Sequence, residues 1–207
     1  MQVEEIFERK IVRTHCNEPD FYTNIELQKS CNRVFALPEI QDRYRGAEWD
    51  SHEGDGESTE GNLFLGPDNL IGSSDLMQWI KSQCVIAAKL AWNIDATDVT
   101  VTRSWMNRMN KGSKGKCHKH SGSNAYIAPT MVAIFYVSNT DDGASLVIVN
   151  DGVHGLLPEE FPSVNTHSLI TMPGDLVIHD SETYHAISEH KGNEPRVCFV
   201  FHMEAVV

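Results

Sequence analysis

The chain has 207 residues, 41% hydrophobic and 22% charged, enough to bury one core and too polar for a membrane-embedded bundle. Lys and Arg total 17 against 29 Asp and Glu, and the resulting net charge of −12 excludes a general affinity for nucleic-acid backbone. No apolar run reaches bilayer length, and Met1-Gln2-Val3-Glu4-Glu5 has neither the basic nor the apolar part of a leader, so a cytoplasmic single domain is expected. The five cysteines (Cys16, Cys31, Cys84, Cys117, Cys198) are odd in number and irregularly spaced, as reduced thiols are.

In chain order, Pro19-Asp20 precedes a stretch from Phe21 to Val34 with helical spacing at Phe21, Ile25, Leu27 and Val34. Residues 40–72 are rich in Gly, Asp and Glu without periodicity, and so long a loop in a compact domain is commonly functional. Its Trp49, Asp50, His52, Glu53 and Asp55 make it a candidate lid. Ser73-Ser74-Asp75 then caps an amphipathic helix reaching Trp92, with the stripe Leu76, Ile80, Cys84, Ala87 or Ala88, and Ala91.

After Asn93 the pattern changes to strands. Val99, Val101, Arg103, Trp105, Asn107 and Met109 share one face of an alternating segment. Further strands are predicted at 129–138, 144–150, 167–172, 175–180, 184–188 and 195–204, punctuated by Asp141-Asp142-Gly143, Pro173-Gly174-Asp175 and Lys191-Gly192-Asn193. No helical pattern separates them, which disfavours βαβ crossovers and favours an antiparallel sandwich or barrel. The expected fold class is α+β within one domain, 1–207. Residues 1–95 are read as a helical or irregular support with a candidate lid, and 96–207 as the β-barrel core. The loop at 151–166 is a second candidate lid.

His118 and His120 stand one residue apart and face the same way if the segment is extended, which presents two imidazoles to one metal ion. His185, following the strand Leu176-Val177-Ile178, is the best candidate for a third donor. Arg196 opens the apolar strand Val197-Cys198-Phe199-Val200-Phe201. Pointed into a barrel it would be a costly buried charge unless a carboxylate arrived to pair with it; pointed outward it is an ordinary strand-start arginine. The basic residues Arg103, Arg108, Lys111, Lys114, Lys116 and Lys119 read either as a solvated loop or as attraction for an anionic cosubstrate. His179 is expected beside the site or at the surface, His202 in the core, and His15, His52, His154, His167 and His190 at the surface or in loops.

Taken together, Ser104-Trp105-Met106-Asn107, His118-Lys119-His120, Ala133-Ile134-Phe135-Tyr136-Val137, Gly143-Ala144-Ser145-Leu146, Pro173-Gly174-Asp175-Leu176-Val177-Ile178, His185 and Arg196-Val197-Cys198-Phe199 resemble the Fe(II)/2-oxoglutarate-dependent oxygenases. The branch resembled is the prolyl-hydroxylase-like one, and the resemblance runs from about Ser104 to His202. It implies a double-stranded β-helix of jelly-roll type with Fe(II) on His118 and His185. It further implies 2-oxoglutarate held by Arg196 and Tyr136, with Asn107 on a strand that could face it. Implied partners are O2 and a small-molecule or peptide substrate, hydroxylated with release of succinate and CO2.

Two positions depart from the family pattern. His120 stands where a carboxylate ligand is usual, giving a three-histidine site or leaving two protein ligands. Cys198 stands where a serine often accompanies the arginine, removing a strong hydrogen-bond donor. Gly112, with five residues between it and His118, also fits the start of a cupin motif, so a three-histidine cupin dioxygenase without 2-oxoglutarate is one alternative. However, Asn124 and Ala125 stand where that motif needs a glutamate. The other alternative is a non-enzymatic metal-binding β-helix.

Overall fold

The computed structural model describes residues 1–21, 23, 25–36, 52–54, 56–59, 75–120 and 130–207. The chain begins with a hairpin of β1 (Gln2–Ile6) and β2 (Arg9–His15), followed by α1 (Ile25–Phe35), β3 (His52–Glu53), β4 (Gly56–Ser58) and α2 (Asp75–Trp92). The second half supplies β5 (Asp98–Met109), β6 (Lys114–His118), β7 (Thr130–Ser138), β8 (Leu146–Val149), β9 (Thr166–Leu169), β10 (Asp175–Asp180), β11 (His185–Ile187) and β12 (Arg196–Val206).

Among the described residues the strands form two sheets, ordered β1-β2-β10-β7-β12-β5-β4 and β3-β6-β11-β8-β9, and every pairing is antiparallel. From β5 to β12 the chain passes between the sheets, β8 and β9 being the one pair that follow each other in the same sheet. That winding is the double-stranded β-helix. It also explains why β7 reads as a continuous apolar run rather than an alternation, because both faces of the larger sheet are covered. Ala133, Phe135, Leu176, Ile178, Phe199 and Phe201 pack on α1 and α2. Their neighbours Val132, Ile134, Tyr136, Val177, Cys198 and Val200 face inward, against Leu146, Ile148 and Leu169 of the smaller sheet.

α2 buries Leu76, Met77, Ile80, Cys84, Ala87, Ala88 and Ala91, which contains the predicted stripe. Its Ser73-Ser74 cap lies outside the described residues. The helical reading of 1–95 holds only in part. The first fifteen residues are strands, β2 pairing with β10 (Val177↔Arg13, Ile178↔Val12) and widening the larger sheet. Two short strands also fall within 40–72: β3 pairs with β6 and β4 with β5. Trp49, Asp50 and Asp55 lie outside the described residues. The five cysteines are buried and free, and no described helix is long and apolar enough to cross a membrane.

Candidate metal centre

The three predicted histidines come together between the sheets. His185 opens β11 and lies directly opposite His118, the last residue of β6, so one rung of the ladder carries two imidazoles on one side. The turn between β10 and β11 fixes the rest. Ser181 O accepts the His120 amide at 3.0 Å, and Lys119 Nζ donates to Glu182 Oε2 at 2.6 Å. One nitrogen of each of His118, His120 and His185 falls within 4.8 Å of the other two, and ring centroids stand 4.4–5.0 Å apart.

The tautomers follow from the backbone. His118 Nδ1 lies 2.8 Å from Lys116 O and His185 Nδ1 3.1 Å from Thr183 O, so both Nδ1 atoms carry the proton and donate it. That leaves each Nε2 as a free lone pair. His120 Nε2 lies 3.3 Å from the lone pair of His185 Nε2, close enough for the two nitrogens to share one proton or one cation. Burial holds His118 below the ordinary imidazole range and His120 and His185 well below it, with neighbouring imidazoles adding to the effect. Three neutral, converging donors are what a divalent transition metal takes.

Two more imidazoles flank the triad. His179 is fully buried, its ring 4.8 Å from His185, with Nδ1 donating to Asp180 O at 2.7 Å. His202 is 4.9 Å from His120 and 5.2 Å from Trp105, and burial brings its pKa down to about 4. Among the described residues, Nε2 of both histidines has no hydrogen-bond partner. Of the two places expected for His179, its burial leaves the one beside the site; His202 lies in the core as expected, with an Nε2 that no described residue satisfies. The signal available in the sequence was that His202 and Arg196 share parity on β12. His190, expected at the surface, is buried as a strut, with Nδ1 accepting from Ala144 N–H at 3.2 Å and Nε2 donating to Glu194 O at 2.8 Å.

Arg196 is 1% exposed. Among the described residues its Nη1 meets sulfur, Met109 Sδ at 3.4 Å and Cys198 Sγ at 3.7 Å, while the guanidinium carbon lies 4.9 Å from the centre of the Tyr136 ring. Among the described residues no carboxylate pairs with it; its Nε has no hydrogen-bond partner, and the Tyr136 hydroxyl, though near Arg196 and Thr171, meets neither at full hydrogen-bond geometry. Burial pushes Tyr136 up to about 12, so the hydroxyl stays a donor. A buried cation left to sulfur and π contacts is unfavourable without an anion, and donors of this kind fit a carboxylate. Asn107 lies across from Cys198, with its Oδ1 accepting from Ser58 Oγ at 2.8 Å.

The other basic residues of the stretch are engaged elsewhere: Lys114 with Glu159, Lys116 with Glu53 at 3.7 Å and Lys111 with Asn193 at 2.9 Å. Lys114 and Lys116 stand on β6 rather than in a loop, and Lys111 in the turn before it. The 151–166 segment is tied to the outer edge of β6 (Cys117 N to Leu156 O, 2.7 Å), and Phe161 packs on the outer face of the smaller sheet. Those contacts hold it beside that sheet.

Residues 103–202 match the family model described as "Putative 2OG-Fe(II) oxygenase". No curated protein matches the chain. Among solved structures, a prolyl-4-hydroxylase of Pseudomonas putida aligns over 95% of this chain and 93% of its own, with TM-score 0.59 and 15% identity. AviO1 from Streptomyces viridochromogenes Tue57 aligns over 94% and 89%, with TM-score 0.61 and 15% identity. The viral collagen prolyl hydroxylase of Paramecium Bursaria Chlorella virus-1, solved with 2OG, aligns over 95% and 96%, with TM-score 0.55 and 11% identity. Identities this low speak for the fold alone, while the family match rests on the segment that carries all three clustered histidines and Arg196. Residues 103–202, just under half of the chain, thus match the 2OG-Fe(II) oxygenase family, and that family implies Fe(II) and 2-oxoglutarate as cofactors.

Proposed function

We propose that the protein is an Fe(II)- and 2-oxoglutarate-dependent dioxygenase that hydroxylates an aliphatic C–H of a small molecule or of an amino-acid or peptide side chain. His118, His120 and His185 hold the metal. The observation that carries this reading is the buried Arg196, without a carboxylate among the described residues, in the interior that also contains the three histidines. When bound, the iron and 2-oxoglutarate together supply the oxygen chemistry, with succinate and CO2 as co-products.

The chain's own part is binding, orientation and exclusion of water. The Nδ1 hydrogen bonds to Lys116 O and Thr183 O hold two imidazoles with Nε2 inward before any ligand arrives. Arg196 receives the distal carboxylate of 2-oxoglutarate as a planar fork, and the Tyr136 hydroxyl donates to the same group. Cys198 and Asn107 line that end of the interior. Trp105, Ile134, Ile148, Val177 and Val200 wall it with apolar surface that keeps bulk water away. With three imidazoles and no carboxylate ligand, the protein adds no negative charge to the metal, which favours a dianionic cosubstrate.

The test is anaerobic addition of Fe(II) and then 2-oxoglutarate, watching for the visible charge-transfer band of the chelate. A band in the wild-type protein that Arg196→Ala weakens is the expected result. Its absence at saturating metal would overturn the reading.

A further inference from the structure

A second arginine stands at the other end of the same interior. Along β5 the positions Arg103, Trp105, Asn107 and Met109 share one face, and Met109 is the residue that touches Arg196. Arg103 is six residues from Met109, about 20 Å along the strand at ~3.3 Å per residue. Arg103 lies directly opposite His202 across the β5–β12 ladder, and its guanidinium carbon lies 5.2 Å from the centre of the Trp105 ring. That ring stands 5.5 Å from His120 and 5.2 Å from His202. The order along the interior is therefore Arg196, the histidine cluster, Trp105, and Arg103 at the exposed end.

Arg103 differs from the other basic residues nearby. Lys114, Lys116 and Lys119 each have a carboxylate within ion-pair distance, whereas among the described residues no carboxylate pairs with Arg103. This occurs in a chain with 29 acidic and 17 basic residues, where surface cations readily find partners. The Trp105 face also removes much of the rotamer freedom that makes an exposed arginine a poor recognition element. Resting on the function proposed above, the charge balance points the same way. Once a dianionic cosubstrate occupies Arg196, the divalent metal and Arg103 leave the substrate side of the site positive.

We infer that Arg103 is a specificity residue that receives an anionic group of the substrate, so the substrate is a small molecule bearing a carboxylate. Arg103 and His120 flank a single ring, 5.2 Å and 5.5 Å from its centre, which keeps the span between that carboxylate and the carbon to be oxidised within a small molecule's length. A free amino acid or a short organic acid has that reach.

The test uses the full-length protein loaded anaerobically with Fe(II) and 2-oxoglutarate. The probes are the free amino acids, each paired with its carboxamide, with inorganic phosphate as a separate arm. Binding is read by tryptophan fluorescence and by perturbation of the chelate band. At least one acid is expected to bind about tenfold more tightly than its amide. That preference should vanish in Arg103→Gln and return in part in Arg103→Lys. Competition by phosphate, lost in Arg103→Gln, would support the anion site and assign it to a phosphoryl group. Equal binding of acid and amide, a preference that survives Arg103→Gln, or no binding by any probe would overturn the inference. The wild-type chelate band, read in the same samples before probe is added, separates failure of this inference from failure of the oxygenase reading.

Discussion

Arg196 shows most directly what one residue contributes. In the sequence it is legible as a charged side chain opening an apolar strand, which a buried carboxylate partner or plain exposure would each explain, and the family resemblance points to the first. The structure adds that its neighbours are sulfur and a phenol ring. Replacing Arg196 with Ala should raise the 2-oxoglutarate Kd by about 100-fold, and Cys198→Ser should lower it by about fivefold, since a hydroxyl donates where a thiol scarcely does. Anaerobic titration of the chelate band measures both, and a Cys198→Ser protein that binds less tightly would refute the second. His120→Ala should weaken metal binding by at least about tenfold, read by calorimetry with the apoprotein; unchanged affinity would mean that His118 and His185 suffice. His179 and His202 were less legible because parity gives a face and not a neighbour. Only packing shows that five imidazoles share one interior.

At the scale of elements, β5 and β7 to β12 could be read from alternation, apolar runs and turn residues, with observed limits close to the predicted ones, whereas β6 entered only as the condition that the segment around His118 and His120 be extended. The β1–β2 hairpin could not. Its two-residue turn is Phe7-Glu8, both with positive φ (51° and 63°), where Asn-Gly or Asp-Gly is the usual signal. Its strands are also mostly charged outside Val3, Ile6, Ile11 and Val12. The pairing of β6 with β11 depends on Gly115, whose place opposite Ile187 leaves no room for a side chain: an added Cβ would lie 2.8 Å from the Ile187 side chain. Gly115→Ala should therefore push the strands apart and destabilise the fold by about 1–3 kcal/mol. Because His118 and His185 are partners on that ladder, metal affinity should fall together with the melting temperature. A stability loss with metal affinity intact would show the triad to be independent of this rung.

For the whole molecule, buried neutral histidines make stability depend on pH. The unfolded chain takes protons onto these imidazoles near pH 6.5, whereas the folded chain keeps them off to lower pH, about 4 for His202. Acid therefore favours the unfolded state, and the stabilisation is complete above about pH 6.5 and lost as pH falls toward the folded values. Thermal unfolding of the apoprotein should show a melting temperature that declines from neutral pH to pH 5; a rise would contradict it. A divalent metal at ~100 times its Kd should add about 2.7 kcal/mol, or roughly 5–10 °C, at neutral pH and progressively less in acid. The net charge of −12 gave no hint of a positive interior, since a sum over the surface is blind to where two arginines and a metal site sit.

The hydrogen bonds that hold His118 and His185 end on main-chain carbonyls, each two residues upstream. A carbonyl is present whatever the side chain, so the orientation of these two ligands is insulated from substitution at Lys116 and Thr183. Mutational drift can rework the rim, the substrate end and the outer face of β6 without turning the imidazoles. A scaffold with that property can change what it oxidises while keeping the means of oxidising it.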